Sequence, residues 1–182
     1  MLLIMPWAFS QQKVNLEPGV LKAYMTIAPS TMLNHNVDNF YLSGSLEYYL
    51  DNKLSFKGHS YLFVNGNAEE PLFDLNLRSY FGVEYHFIKN NFDAHIGFSP
   101  GANFIDPSEP EGVAPVTTVR IAPSVAFDAG INYFVWKYMH FFVDVTYVNA
   151  RLPQTLRGSA QIDEIILSAG LGFQLPTKRK KR

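Results

Sequence analysis

The segment Phe40-Tyr41-Leu42-Ser43-Gly44-Ser45-Leu46-Glu47-Tyr48-Tyr49-Leu50 alternates apolar and polar side chains along its length. One set of alternate positions holds Phe40, Leu42, Leu46, Tyr48 and Leu50, and the other holds Ser43, Ser45 and Glu47. Successive side chains of a β-strand point to opposite faces. The segment is therefore predicted to be a strand with one apolar face and one polar face.

The same alternation recurs along the chain and defines eight candidate strands. They are Leu21–Met32, Phe40–Leu50, Leu54–Asn65, Leu77–Ile88, Phe92–Ile105, Val119–Val135, His140–Leu152 and Ile162–Leu175. Each is long enough to cross a bilayer as a tilted strand, which takes about 9–11 residues. This pattern predicts an all-β fold, an eight-stranded antiparallel up-and-down transmembrane β-barrel.

The connections between these strands alternate between short and long. The short turns are Asp51-Asn52-Lys53, Lys89-Asn90-Asn91 and Trp136-Lys137-Tyr138-Met139, and the longer loops are Asn34–Asn39, Gly66–Asn76, Asp106–Thr118 and Pro153–Gln161. If the chain starts in the periplasm, every short turn lies on the periplasmic side and every long loop lies outside. That asymmetry is typical of outer-membrane barrels.

The composition agrees with a single membrane-embedded β-domain. The chain has 182 residues, of which 47% are hydrophobic, 15% are aromatic and only 17% are charged, against a usual charged fraction of about 25%. No stretch approaches the roughly 18 consecutive apolar residues of a spanning helix. The absence of cysteine excludes disulfides and thiolate chemistry, and a net charge of −1 gives no reason to expect a nucleic-acid partner.

The two faces of the strands allow two interpretations. In a soluble barrel the apolar set would form the core, whereas in a membrane barrel it would face lipid. Eight strands enclose only enough room for side chains to fill the interior, and the many Phe and Tyr residues of the apolar set would crowd it. Trp136 and Tyr138 lie in a turn, where an interfacial aromatic girdle is expected. We therefore expect the apolar set to face lipid.

The polar set would then fill the interior, where its charges must pair because a buried lone ion costs several kcal/mol. The predicted ionic network consists of Glu47, Lys57, His59, Arg78, Glu84, His86, Asp93, His95, Arg120, Asp128 and Asp144. Opposite charges directly across an antiparallel ladder contribute about 0.2–1 kcal/mol. A network of this size predicts an interior that is plugged rather than a wide pore.

Two hairpins give specific contacts within this network. A three-residue turn at Asp51-Asn52-Lys53 places Glu47 opposite Lys57 and Ser45 opposite His59. A two-residue turn at Lys89-Asn90 places His86 opposite Asp93 and Glu84 opposite His95.

Other chemistry for the polar residues is possible but weaker. His59, Glu84, His86, Asp93 and His95 have the side chains that bind metals, yet they satisfy one another as ion pairs, so no metal or other cofactor is expected. A small outer-membrane enzyme acting on lipid A would need a Ser and a His in contact. His59 and Ser60 are adjacent and face opposite ways, and His95 and Ser99 are about 13 Å apart along a strand. No catalytic residue is assigned, and we expect no enzyme.

The two ends of the chain are predicted to lie outside the barrel. An apolar run from Leu2 to Phe9 followed by Ser10 resembles a signal peptide without its positively charged start, so residues 1–10 are interpreted as a truncated signal peptide. The barrel domain would span residues 11–175. Residues 176–182 include Lys178-Arg179-Lys180-Lys181-Arg182 and form a basic periplasmic tail that we expect to be solvated.

The last strand ends Ser168-Ala169-Gly170-Leu171-Gly172-Phe173-Gln174-Leu175. This segment resembles the β-signal by which the bacterial barrel assembly machinery recognises outer-membrane proteins, polar-x-Gly-x-x-aromatic-x-hydrophobic. Ser168, Gly170, Phe173 and Leu175 occupy its four defined positions. The resemblance implies that the assembly machinery is a partner during biogenesis.

From Leu21 onwards the chain resembles the small eight-stranded outer-membrane β-barrels of Gram-negative bacteria, the group that includes the OmpA transmembrane domain and OmpX-type proteins. The resemblance implies a monomer in the cell outer membrane, in contact with its lipid. Two features depart from the family. Pro176–Arg182 follow the β-signal, and no peptidoglycan-binding domain follows the barrel, so a role in tethering the cell wall is not implied.

The resemblance and the residues together predict a structural, adhesive or surface-binding role carried by the extracellular loops, because loops on a rigid scaffold carry function. Glu69, Glu70, Glu109 and Glu111 would give those loops an acidic rim able to bind cations or basic surfaces. A lipid A enzyme and a narrow channel are the alternatives.

Overall fold

The computed structural model describes residues 17–35, 37–68, 73–108, 119–155 and 158–177. Within them the strands are β1 Val20–Met32, β2 Asp38–Tyr49, β3 Leu54–Gly66, β4 Phe73–Lys89, β5 Phe92–Pro107, β6 Arg120–Trp136, β7 Met139–Thr155, β8 Gly158–Gln161 and β9 Glu164–Pro176. The interpreted signal peptide and Lys178–Arg182 lie outside the described residues. No helix in the described part of the chain has the length and apolar character needed to cross a membrane.

Eight of these strands close into a barrel. Each pairs antiparallel with its sequence neighbour from β1 to β7, and β9 pairs with both β7 and β1, which joins the two ends of the sheet. The predicted eight-stranded antiparallel up-and-down barrel is confirmed. Closure leaves the barrel strands with no free edge, so their backbone polar groups are satisfied inside a bilayer without water.

The connections are sorted by length between the two ends of the barrel. The turns after β2, β4 and β6 lie at the same end as the start of β1 and the end of β9. At this end Gly19 N donates to the Tyr49 carbonyl oxygen over 2.9 Å, and Thr177 N donates to the Gly19 carbonyl oxygen over 2.8 Å. We call this end the turn end. The longer connections leave the opposite end, the loop end, as predicted.

One predicted loop is wrong. Residues 153–161 were expected to form an irregular loop, but β7 continues to Thr155 and β8 returns along it, pairing Arg151 with Gln161 and Leu152 with Ala160. The pairing register shifts between Leu152 and Thr155, where Pro153 has no N–H to donate. In the sequence this segment was interpreted as a loop because it contains Pro153 and Gly158, and proline and glycine are common in loops.

Large apolar side chains cover the outside of the barrel at alternate positions. Representative members on four different strands are Met25 at 69%, Phe81 at 60%, Ile121 at 62% and Phe173 at 56% exposure. A water-soluble protein rarely exposes so continuous an apolar surface. The exterior therefore faces lipid, as the sequence pattern indicated.

Apolar clusters lie inside the barrel towards both ends. At the turn end Val20, Tyr49 and Phe134 pack together, with Ile88 against them. In the loop-end half a larger cluster consists of Ala28, Met32, Tyr41, Tyr61, Phe73, Tyr80, Ile105, Ala122, Ala126, Val148, Ala150, Ile162 and Ile166. The interior thus accommodates several Tyr and Phe side chains, more than the sequence argument about crowding allowed.

Candidate functional site in the barrel interior

Inward positions of every barrel strand carry polar or charged side chains. The buried ionisable groups other than tyrosine are Lys22, Glu47, Lys57, His59, Arg78, Glu84, His86, Asp93, His95, Asp128, His140, Asp144 and Glu164. Burying a charge is costly unless it is paired and hydrogen-bonded. Two separate groupings supply that pairing.

The first grouping, the loop-end pair, is the ion pair between Arg78 on β4 and Glu164 at the start of β9. The Glu164 carboxylate also accepts hydrogen bonds from Ser30 Oγ, from Asn39 Nδ2 over 2.9 Å and from the Tyr41 hydroxyl over 3.0 Å. The Arg78 guanidinium lies over the Tyr41 ring, 5.4 Å from its centroid. One buried cation and one buried anion thus meet in otherwise neutral surroundings.

The second grouping, the turn-end network, consists of Lys22, Glu47, Lys57, Glu84, His86, Asp93, His95 and Asp144. Each of its two lysines contacts one carboxylate on a neighbouring strand and one across the interior. Lys22 Nζ lies 2.8 Å from Glu47 Oε2 and 3.6 Å from Asp93 Oδ2. Lys57 Nζ lies 2.7 Å from Glu84 Oε1 and 3.6 Å from Asp144 Oδ2. Lys22 and Lys57 therefore each have two carboxylates within 4.0 Å.

Two histidines link the same carboxylates. His86 Nδ1 is 2.9 Å from Asp93 Oδ1, and His86 Nε2 is 3.1 Å from Glu47 Oε1. His95 Nε2 is 3.2 Å from Asp144 Oδ1. His95 and Asp144 lie on strands on either side of Gly130, with which both are paired. The missing side chain of Gly130 lets these two groups meet across β6.

Neutral donors complete the hydrogen bonding of this network. The Tyr49 hydroxyl donates to Asp93 Oδ2 over 2.9 Å, and the Tyr24 hydroxyl donates to Asp144 Oδ2 over 2.8 Å. Asn132 Nδ2 also donates to Asp93, over 3.1 Å. Two of the four carboxylates therefore have partners besides lysine and histidine.

The predicted network also includes His59, Asp128 and Arg120. Asp128 accepts a hydrogen bond from Thr146 Oγ1 over 2.8 Å and lies 3.9 Å from His59 Nε2. These contacts join His59 and Asp128 to neither the loop-end pair nor the turn-end network. Arg120 begins β6 at the loop end and is half-buried on the inward-facing row of that strand.

The register predicted for the β2–β3 hairpin is found, although its ionic contact is not. Glu47 lies opposite Lys57 and Ser45 lies opposite His59. The Glu47 carboxylate nevertheless pairs with Lys22, and Lys57 pairs with Glu84. Lys22 lies directly opposite Glu47 on the other neighbouring strand, so Glu47 has a cation on each side and its ion pair forms with the one on β1.

The register predicted for the β4–β5 hairpin is wrong by two residues. The turn residues are Asn90 and Asn91, so His86 lies opposite His95 and Glu84 lies opposite Gly97. Asn90 has a φ of 56°, a left-handed conformation that asparagine adopts more readily than most residues. His86 still reaches Asp93, but it does so diagonally across the ladder.

Lys22 and Glu164 are missing from the predicted network although both lie on the inward-facing rows. Lys22 is on β1 and Glu164 is on β9, the two strands that meet where the barrel closes. Their alternation with apolar neighbours marks them as inward-facing. Their partners depend on closure and on contacts across the interior, which hairpin registers alone do not specify.

Ser55, His86 and Asp93 form hydrogen bonds in the order found in serine hydrolases. Ser55 Oγ is 2.9 Å from His86 Nε2, and His86 Nδ1 is 2.9 Å from Asp93. A triad needs an exposed nucleophile and donors for an oxyanion. Ser55 is wholly buried, and Glu47 Oε1 also faces His86 Nε2. This arrangement gives a substrate carbonyl no approach to Ser55.

Two sets of ligand atoms in the turn-end network lie close enough to bind a metal ion. They are His86, Asp93 and His95 in one set and Glu47, Glu84 and His86 in the other, with the ligand atoms of each set within 4.8 Å of one another. The structure therefore brings together four of the five residues weighed as metal ligands from the sequence. His59 lies elsewhere in the interior, against Tyr61 and Tyr80.

The four β-signal positions lie on β9, the strand that closes the barrel. Ser168 is buried on the inward face, whereas Phe173 and Leu175 are exposed on the lipid face. Gly170 faces inward, next to the Phe142 ring and the Thr26 hydroxyl. The alternation of the motif thus distributes its residues over both faces of the strand.

Comparison with known proteins identifies relatives at the level of structure. No protein-family model matches the chain, and no curated protein matches its sequence. Neisserial surface protein A aligns with a TM-score of 0.66 at 15% identity, covering 86% of this chain and 96% of that one. The outer membrane protein OprG from Pseudomonas aeruginosa gives 0.63 at 13% identity, covering 87% and 97%.

The N-terminal β-barrel domain of OprF from Pseudomonas aeruginosa also aligns, with a TM-score of 0.57 at 10% identity, covering 87% of this chain and 98% of that one. Identities this low establish a shared fold and nothing finer. The alignments nevertheless span almost the whole of each compared structure. With its closed strand order and apolar exterior, the chain has the fold of the small eight-stranded outer-membrane β-barrels.

Proposed function

We propose that this protein is a monomeric barrel of the outer membrane, with periplasmic termini, that acts at the cell surface through its extracellular loops. Its role would be structural, adhesive or surface-binding, and its interior would not conduct. Outer-membrane lipid would surround the barrel, and the assembly machinery would recognise Ser168, Gly170, Phe173 and Leu175 during biogenesis.

The observation that carries this proposal is the set of large side chains buried inside the barrel. In the loop-end half, Tyr41, Tyr61 and Tyr80 are buried around Arg78. At the turn end, Tyr49 and Phe134 pack across the interior. Eight strands leave room only for side chains, so a solute has no wide path through the barrel. The function would then be carried by the loops that lie outside the membrane.

Two features of the loop end support a role in binding. The β7–β8 ribbon extends beyond the pairing of β7 with β6, which ends at Ala150. A ribbon with free edges offers backbone donors and acceptors to a partner. The loop segments 67–72 and 108–119 carry Glu69, Glu70, Glu109 and Glu111 and lie largely outside the described residues. Their charge favours a basic partner surface.

Adherence of intact cells tests the proposed role. Cells displaying the protein should adhere to polylysine-coated beads better than cells without it, because the loop-end carboxylates attract cations. The variant Glu69→Gln/Glu70→Gln/Glu109→Gln/Glu111→Gln should lose most of that gain. The matched control Glu17→Gln removes a carboxylate next to β1 at the turn end and should retain it. Equal adherence of both variants would contradict a role for the loop rim.

Planar bilayer recordings test the proposed closure. The purified, refolded protein should produce no discrete conductance steps if the clusters of side chains buried towards both ends close the interior. Regular large steps would contradict a filled interior and would favour the channel alternative. Loss of acyl chains from lipid A on overexpression would instead favour the enzyme.

A further inference from the structure

The carboxylates of the turn-end network outnumber its lysines by two. Glu47, Glu84, Asp93 and Asp144 provide four negative charges, and Lys22 and Lys57 provide two positive ones. All six side chains are buried. An uncompensated charge in such surroundings costs several kcal/mol, so the network requires further positive charge. Protonated histidines can supply that charge, and so can a single divalent cation bound beside neutral histidines.

The spare carboxylate oxygens converge on one point. Glu47 binds Lys22 through Oε2 and Glu84 binds Lys57 through Oε1, which leaves Glu47 Oε1 and Glu84 Oε2. Both atoms are buried without a hydrogen-bond partner. Both point at His86 Nε2, at 3.1 Å and 3.9 Å respectively. The lysines thus hold the two glutamates so that the second carboxylate oxygen of each glutamate lies near His86 Nε2.

His86 is oriented as a metal-binding histidine is. Its Nδ1 is 2.9 Å from Asp93 Oδ1, and a histidine ligand usually donates its other ring N–H to a carboxylate in this way. In the neutral imidazole that hydrogen bond places the lone pair on Nε2, the atom that faces Glu47, Glu84 and Ser55. If Nε2 carried a proton, it could donate a hydrogen bond to Glu47 Oε1 at 3.1 Å. Glu84 Oε2, at 3.9 Å, would still lack a hydrogen-bond donor.

We propose that Glu47 Oε1, Glu84 Oε2 and His86 Nε2 bind one divalent transition-metal ion, for which Zn²⁺ is the probe. Bonds of about 2.0–2.2 Å in a tetrahedral arrangement separate ligand atoms by about 3.4 Å, and these three atoms all lie within 4.8 Å of one another. Ser55 Oγ, 2.9 Å from His86 Nε2, is placed to be or to hold the fourth ligand. Asp93 acts as the positioning residue.

The nitrogen ligand and the small site predict the choice of ion. Imidazole suits zinc and its neighbours, whereas Mg²⁺ and Ca²⁺ require six or more oxygen ligands. We therefore expect Zn²⁺ to bind in the presence of excess Mg²⁺, and Co²⁺ to replace it with the visible spectrum of a tetrahedral centre.

The test uses the full chain refolded in detergent with Zn²⁺, freed of loose metal by gel filtration and measured for zinc by elemental analysis. We expect one zinc per chain. Glu84→Gln should retain less than a tenth of that amount. Asp93→Asn should weaken the affinity about 10- to 100-fold while leaving the Co²⁺ spectrum tetrahedral, because it disturbs the orientation of His86 and the local charge without removing a metal ligand. A purely structural role of Asp93 would not produce that combination.

Asp128→Asn is the matched control, because it removes a buried carboxylate from the same interior but outside the turn-end network. It should retain one zinc per chain. Heat-modifiable migration on a gel verifies folding of each variant, and Glu47→Gln replaces Glu84→Gln if the latter does not fold. Folded wild type without retained zinc, or equal retention by Glu84→Gln and Asp128→Asn, would overturn the proposal. Neither result would bear on loop adherence.

Discussion

The loop-end pair and the turn-end network both compensate charges buried in the barrel, but they do so in different ways. Arg78 and Glu164 form one ion pair among neutral donors from Ser30, Asn39 and Tyr41. The turn-end network instead distributes its charges, so that each lysine lies within 4.0 Å of two carboxylates. In the loop-end pair each ion has a single oppositely charged partner. In the turn-end network an ion that loses one partner still has a second one.

This difference predicts how each grouping responds to the loss of a charge. Removing one partner of a buried pair leaves an uncompensated charge and costs about 3–5 kcal/mol. In a shared network the surviving ion retains a second partner, so the cost approaches that of one charged hydrogen bond. Stability measurements can separate the two cases.

The largest effect is expected for Glu164→Gln. The substitution keeps the size of the side chain but leaves the Arg78 guanidinium buried without its anion. The free energy of unfolding should fall by about 3–5 kcal/mol. Urea unfolding in detergent or lipid, followed by the heat-modifiable gel shift, measures it.

The double variant Arg78→Met/Glu164→Gln provides the control for this prediction. Because it removes both charges, it should be more stable than Glu164→Gln alone, and the cycle of single and double variants isolates the coupling between the two residues. If Glu164→Gln lowered the free energy of unfolding no more than Glu84→Gln does in the turn-end network, the proposed distinction between the two groupings would be wrong.

A smaller effect is expected for Glu84→Gln, measured in the same way with a chelator present so that metal does not contribute. Lys57 then loses its partner at 2.7 Å but keeps Asp144 at 3.6 Å. The expected loss is about 1.5–3 kcal/mol, that of a hydrogen bond to a charged group. A loss of 5 kcal/mol would mean that the network shares no charge between its members.

Gly130→Ala should have a smaller effect again and should act through geometry rather than charge. A Cβ at this position would overlap Asp144 Oδ1 and lie 2.8 Å from His95 Nε2. Overpacking typically costs 1–3 kcal/mol, and we expect about 1 kcal/mol, because the atoms met are the ends of side chains. Gly44→Ala is the control, since its Cβ would meet nothing within 4 Å, and a similar loss there would contradict this explanation.

The sequence was sufficient to predict the barrel, the sorting of short turns and long connections to opposite ends, and the chemical character of its two faces. The alternation of apolar and polar residues and the lengths of the connections are both local features that are visible in the sequence. The same reasoning placed Glu47 opposite Lys57 because the turn Asp51-Asn52-Lys53 fixes that hairpin. It placed Asp93 directly opposite His86 wrongly, because Lys89, Asn90 and Asn91 permit turns in two registers, although the predicted contact between the two side chains does form.

The ionic partners could not be read from the sequence for a different reason. Glu47 has cations on both neighbouring strands, and only the three-dimensional arrangement shows that it binds Lys22. Glu164 reaches Arg78 through the interior of the closed barrel. Contacts of this kind join strands that are distant in sequence, so a hairpin-by-hairpin derivation cannot find them.

The smallest expected effect lies outside the membrane, at Asp51 in the turn between β2 and β3. Its Oδ1 accepts hydrogen bonds from the backbone N–H groups of Lys53 over 2.6 Å and of Leu54 over 2.8 Å. These donors hold the pKa of the Asp51 carboxyl below its ordinary value of 3.8.

A lowered pKa in the folded state means that Asp51 stabilises the protein above the pKa of the unfolded chain and that this contribution disappears as the pH falls through the folded value. The difference in unfolding free energy between wild type and Asp51→Asn should therefore be constant from neutral pH to about pH 5 and should shrink below pH 3.8. The interior of the barrel is identical in the two proteins, so its contribution cancels in this difference. A difference that did not change with pH would mean that the turn is held by its backbone alone, and that the carboxylate of Asp51, unlike those inside the barrel, contributes nothing through its charge.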